Sequence, residues 1–381
     1  MAGARLETLL TRLVGGPQVT VAELAAIGEE EWHAIDRRAG EHRLRPLLHH
    51  RWRGHSAVPA DLRARWAEAH RESALAALAM RRALLTLVDR LAQAGIAAVA
   101  LKGAWLAWHA YPQAALRPMR DLDLLLAPED ALRARTLLIA DGWHEAEPSA
   151  LPPEEWLRRF KHLPELVSPD GIWLDLHGRL WDAGPGRPPM PEGVMARARP
   201  DPECPRLRHP AAVDMLMHLA VHAAAHRFDG GPLMLADVDR LLASESLAWE
   251  EVFARAASEG WDRPLALLLA AGRQWGCQGL WRGPEVLPPV PVQLVEDVPV
   301  LLAKPVAARA PDIAAAKRGS VRIGPGEKLR RIWRRRERYE SFGAWLGWVA
   351  GEARQALGAA GDAAIADRRA RIDRLDGWLA G

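Results

Sequence analysis

Arg120-Asp121-Leu122-Asp123-Leu124-Leu125-Leu126-Ala127-Pro128 is the stretch on which the reading of this chain turns. Its acids and leucines alternate and then run apolar, which predicts a strand over 121–126 stopped at Pro128. Glu129 to Asp141 follows as a helix closed by Gly142. Upstream, Gly95 breaks a helical pattern and the β-branched and alanine run 96–101 predicts a buried strand. Lys102-Gly103 ends that strand, and 104–111 reads as a short helix closed by Pro112. Downstream, Asp170-Gly171 marks a turn before a third strand over 172–176. Residues 152–162 read as a helix, and 165–168 as a hairpin partner for that strand.

Working outward, residues 1–90 form a helical region, with apolar spacing as at Leu75, Leu78 and Leu85. The α/β core covers 91–200, with a Pro/Gly loop over 184–193. Helices over 201–282 form a further domain, and 283–381 a Pro-rich linker and basic C-terminal helices. Prolines recur too often in 283–311 for regular helix, while 327–358 and 363–379 are helical candidates.

The composition is that of a globular chain, 49% hydrophobic and 26% charged over 381 residues. A formal charge of +3 is too small to imply nucleic-acid binding. Cys204 and Cys277 form no CxxC pair and no disulfide framework, which fits a reducing cytoplasm. Arg5 and Arg12 interrupt the first leucines, so no signal peptide is read, and no apolar run spans a bilayer. Five lysines, at 102, 161, 304, 317 and 328, stand against 46 arginines, a bias of GC-rich coding from which no function is read.

Side chains two apart on a strand share a face, so Asp121 and Asp123 make one patch with Cα atoms roughly 6.5 Å apart. Two carboxylates so placed can share a hard cation such as Mg²⁺ or Mn²⁺, which takes oxygen ligands and phosphate oxygens together. Asp175 and His177 share the non-leucine face of the third strand, and a neighbouring strand can bring Asp175 beside the pair. Asp175 is then the third metal ligand and a candidate general base.

Leu101-Lys102-Gly103, Tyr111, Arg117 and Arg120-Asp121-Leu122-Asp123-Leu124-Leu125 resemble the uncharacterised bacterial nucleotidyltransferases of the DNA polymerase β superfamily. Leu174-Asp175-Leu176-His177, the stretch Met217-His218-Leu219 through His222 and His226, and Leu235-Ala236-Asp237 are similar too. The resemblance covers Arg82 to Leu242, with Gly103 followed by Ala104 and Asp121 eighteen residues further on. It implies an α+β fold: a small mixed β-sheet core embedded in a mostly helical chain, with a helical domain closing over the nucleotide. It implies metal-dependent transfer of a nucleoside monophosphate from a nucleoside triphosphate, ATP among them, to an acceptor hydroxyl or phosphate. Asp121, Asp123 and Asp175 would bind Mg²⁺ or Mn²⁺ and carry catalysis. Lys102, Gly103, Arg117, Arg120, His177, His222 and Asp237 would bind the nucleotide.

Each residue has a plainer reading. Lys102, Arg117 and Arg120 can hold the acids in salt bridges instead of phosphates, and Gly103 can be only a strand-to-helix turn. His218, His222 and His226 share one helical face, where cleft lining or packing outweighs a zinc site. Asp237 can face the cleft, and Asp239 reads as a solvated charge. The run Leu329-Arg330 to Arg338 is compatible with an anionic membrane surface, RNA or an acidic peptide, although a solvated helix is the default. The acceptor, a peptide, RNA or small molecule among the options, is open. Two other readings stand: a non-catalytic nucleotide- or peptide-binding descendant, and an Asp-x-Asp glycosyltransferase.

Overall fold

The computed structural model describes residues 2–15, 19–147, 149, 151–182, 188–276, 281–308 and 363–381. Cys277, the 327–358 helical candidate and the basic run Arg330 to Arg338 lie outside the described residues. The lead-in is helical as expected: α1 (Ala2–Gly15), α2 (Val21–Ala25), α3 (Glu29–Glu41), α4 (Arg45–Trp52) and α5 (Ala60–Gln93). Thr20 starts α2 with a reciprocal capping box, its hydroxyl accepting from Glu23 N–H while the Glu23 carboxylate accepts from Thr20 N–H. On α5 the buried stripe is Ala77, Met80, Leu84, Leu87 and Leu91, and Leu75 and Leu78 point outward instead, 70% and 59% exposed.

The core follows in the order β1 (Ala98–Ala100), α6 (Gly103–His109), β2 (Asp121–Leu125), α7 (Pro128–Ala140), β3 (His144–Glu145), α8 (Pro153–Arg159), β4 (Leu166–Val167) and β5 (Trp173–His177). After α9 (Val194–Arg197), a hairpin of β6 (Arg199–Pro200) and β7 (Leu207–His209) completes one seven-stranded sheet, ordered β3-β4-β5-β2-β1-β7-β6. The sheet is mixed: β2 runs parallel to β5 and antiparallel to β1, while β1 runs parallel to β7. The expected hairpin of 165–168 with the third strand is β4 against β5. The β6–β7 hairpin carries no periodic pattern long enough to read, and it straddles residue 200, where the sequence reading ended the core.

Helices α10 (Ala212–Ala225), α11 (Leu233–Ser244), α12 (Trp249–Glu259) and α13 (Asp262–Trp275) come next, then α14 (Val292–Leu302) and α15 (Ala363–Ala380). Helix α14 corrects the expectation that 283–311 holds no regular helix, because it runs straight through Pro299. Proline removes the N–H that would bond the carbonyl four residues back. That carbonyl, on Val295, accepts instead from Trp275 Nε1 at 2.8 Å. Buried Asp297 of α14 accepts from Arg371 and Arg374, which, with Ile372 and Leu375 buried, docks α15.

Candidate functional site

Register places the acids. Strand pairing sets Asp123 directly beside Asp175 and Leu125 beside His177, while Leu122 and Leu124 point with Leu174 and Leu176 into the core. The polar faces of β2 and β5 therefore coincide, as period two requires. Ligand atoms of Asp123, Asp175 and His177 lie within 4.8 Å of one another. Asp121 shares the face of Asp123 at the exposed start of β2, across from Trp173, and is not part of that tight group.

Asp123 is buried and doubly held. Its Oδ1 accepts from Lys102 Nζ at 3.1 Å and from His177 Nε2 at 2.8 Å. The carboxylate can only accept, so Nε2 carries the proton. Burial works to raise the Asp123 carboxyl, but Lys102 and the His177 hydrogen bond outweigh it and hold it well below the usual range. Burial of His177 lowers its own value to about 4 against the pull of Asp123, so the imidazole is neutral at pH 7. Asp175 behaves oppositely. Burial, opposed by His162 but aided by Asp123 and Asp121, raises it to about 6. Asp121 is raised as well, by desolvation and then by Asp123, against Lys102, Arg117 and Arg43. No ion pair forms on Asp121 or Asp175 among the described residues.

The lead-in to the acids is strained. Lys102 takes φ 44° and ψ −122°, a backbone state ordinarily left to glycine, and this turn aims its ammonium at Asp123. Gly103 has its own reason: a Cβ there would stand 2.4 Å from Nη1 of Arg117 and 3.0 Å from Met119 Cγ. Arg117 in turn donates to both oxygens of buried Asp237, at 3.2 and 2.8 Å, and Tyr111 Oη donates to Oδ1 at 2.8 Å. Two of the expected nucleotide-binding residues, Arg117 and Asp237, thus bind each other and tie α11 to the loop before β2. Arg120 is exposed beside Asp121 and makes no ion pair among the described residues.

From α10, His218 is fully buried and neither ring nitrogen has a hydrogen-bond partner. Burial, then the charge of Lys102, holds it well below its usual value, as it does for half-buried His222. The rings of His218, His222 and His226 follow one another at 5.9 and 4.4 Å, from buried to exposed. They form no convergent ligand group among the described residues. Asp239 is a correction: it is 1% exposed, packed beside Gly276, and not a solvated charge.

Sequence reasoning missed Lys161. It precedes His162, which bridges to His177, and it is half-buried. Burial and then Lys102 lower its ammonium, while Asp123, Asp182 and Asp175 oppose the shift. It makes no ion pair among the described residues, although its charge is felt at His177 and His218. The available signal was rarity: in a chain with 46 arginines, two of five lysines meet at one site.

Donor chemistry fits a divalent cation. Two unpaired carboxylates beside an ionised third make repulsion that a hard cation would relieve, and oxygen ligands suit Mg²⁺ or Mn²⁺. Over residues 28–276, about two thirds of the chain, the sequence matches the family described as uncharacterised nucleotidyltransferase. The chain belongs to that family. The match begins at Gly28, just before α3, and runs through α13, wider at both ends than the resemblance read from Arg82 to Leu242. The searches of curated proteins and of solved structures returned no match. No described helix of this nucleotidyltransferase-family chain is long and apolar enough to cross a membrane.

Proposed function

We propose that the chain transfers a nucleoside monophosphate from a nucleoside triphosphate to an acceptor hydroxyl or phosphate, with Asp121, Asp123 and Asp175 holding Mg²⁺ or Mn²⁺. The observation that carries this is the in-register pairing of Asp123 with Asp175 beside Asp121, in a chain of this family. A cation bound there would neutralise the triphosphate and the charge that develops on transfer.

The chain's own residues supply the rest. Asp175, with a carboxyl near pH 6, is ionised at neutral pH and basic enough to take the acceptor's proton. The acceptor oxygen bonds to the α-phosphorus, the bond from that phosphorus to the bridging oxygen breaks, and pyrophosphate leaves with that electron pair. His177 is a positioning residue: its Nε2–H orients the Asp123 carboxylate. Lys102, Lys161 and exposed Arg120 face phosphate with positive charge. Half-buried His222, which feels the Lys102 charge, would meet the nucleotide, and Arg117 with Asp237 braces the Gly103 turn. Among the described residues the helical lead-in leaves only the three-residue strand β1 ahead of Asp121, short of the strand-helix nucleotide domain that an Asp-x-Asp glycosyltransferase requires.

The test incubates the protein with each α-labelled ribonucleoside triphosphate, Mg²⁺ or Mn²⁺, and cell extract, alongside Asp123→Asn and Asp175→Asn. Label should pass to an acceptor with wild type alone. Equal transfer by both variants would sink the assignment, and metal-dependent binding without any transfer would favour a non-catalytic descendant.

A further inference from the structure

Between the helical lead-in and the α/β core lies a pocket of about 270 Å³. Helix α5 lines it with Ser73, Ala76, Ala77 and Met80, the turn between α3 and α4 adds Arg43, and the core adds Met119. Met119 stands two residues before Asp121 and closes on the face of Gly103. Pocket and carboxylate site are therefore neighbours through Met119 and the Lys102-Gly103 turn. Arg43 sits at φ 57°, a left-handed state rare for arginine, and its charge reaches Asp121. The family match starts at residue 28, so both walls fall inside it.

We propose that this pocket takes the nucleobase of the triphosphate whose phosphates lie at Asp121 and Asp123. The inference rests on the proposed transfer reaction for its choice of ligand. Size argues for one ring system: small-molecule sites run from about 300 Å³ upward, so this pocket excludes a folded acceptor. Its alanine and methionine side chains suit the flat face of a ring, and Glu72 and Arg45, which also line it, offer polar groups to a ring edge. Arg43 adds a cation where the nucleotide would turn toward its phosphates. Position decides between donor and acceptor. Gly103 follows β1 on one flank of β2, whereas Asp175 stands on β5 on the other. A base held at Met119 leaves the Asp175 flank open to the incoming acceptor.

Ala76 is exposed at the pocket, so Ala76→Trp fills it without entering the core. Arg43→Gly removes the guanidinium and keeps the left-handed turn. Titration calorimetry on the full chain compares the four ribonucleoside triphosphates, their nucleosides, and inorganic tripolyphosphate, the phosphates with Mn²⁺. The best triphosphate should bind wild type at least about tenfold tighter than tripolyphosphate. Ala76→Trp should abolish that margin at unchanged melting temperature and unchanged tripolyphosphate affinity, and Arg43→Gly should shrink it. Equal triphosphate affinities in wild type and Ala76→Trp overturn the pocket alone. Should tripolyphosphate fail to bind while Ala76→Trp still blocks a nucleoside, the pocket stands and the metal reading falls. Binding of neither class to wild type overturns both, and an Ala76→Trp effect on acceptor use alone transfers the pocket to the acceptor and ends the proposal.

Discussion

Asp123 and Asp175 stand side by side in register on parallel strands, yet one is pulled well below the ordinary carboxylate range and the other pushed to about 6. The asymmetry comes from Lys102 and His177, which both serve Asp123. Asp175 therefore stores unfavourable charge whenever it is ionised. Between about pH 4 and 6 the folded chain holds a proton that the unfolded chain releases, so stability falls as pH rises through that window. Asp175→Asn should accordingly be more stable than wild type at pH 7 without metal, by about 3 kcal/mol, and equal to it below pH 4. Thermal melts across pH measure this, and a variant less stable at pH 7 would refute it.

Cation binding needs the ionised acid, so the same carboxyl gives it a pH dependence. Mn²⁺ affinity should be flat above pH 7 and fall by about tenfold per unit below 6, as one proton competes for Asp175. Calorimetry or electron paramagnetic resonance reads the slope. Affinity constant from pH 5 to 7 would remove Asp175 from the ligand set.

Gly103→Ala puts a methyl 2.4 Å from Nη1 of Arg117. An arginine end ordinarily yields, but this one is pinned by two bonds to Asp237. The expected cost is about 1–3 kcal/mol of stability, with weaker triphosphate binding as the Lys102 turn shifts. Denaturant unfolding checks it; an unchanged midpoint would show that the guanidinium moves freely.

Arg117→Met leaves Asp237 buried with Tyr111 as its remaining donor, a loss of about 3 kcal/mol. Adding Asp237→Leu should recover most of it, because the uncompensated charge is gone. A bracing pair predicts that recovery in a double-mutant cycle, with triphosphate affinity restored in parallel. Were Arg117 instead a direct phosphate ligand, stability would recover and affinity would not.

Legibility followed periodicity. Asp121, Asp123 and Asp175 were readable because alternation with leucines fixes their face in any sheet that buries the leucines. Asp239 was misread because a carboxylate in a leucine-rich helix carries no mark of what packs over it, and Gly276 arrives from α13's far end. Helix α14 was misread because proline reports a lost donor but not the indole that replaces it, Trp275 Nε1. Lys161 sits in a loop, where no period speaks for side-chain direction.

The sequence by itself determined the mixed character of the chain, the strands that carry the acids, and the family to which those motifs point. Local period and turn chemistry act between neighbours, so they survive in a linear reading. Only the tertiary structure decided that Asp123 is the held carboxylate and Asp175 the strained one, that Arg117 and Asp237 spend their charges on each other, and that Lys161 and His218 come near enough to feel the charge of Asp123. Those outcomes depend on burial and on partners as far apart as Arg117 and Asp237, and the energy of a charge is set by what surrounds it in space.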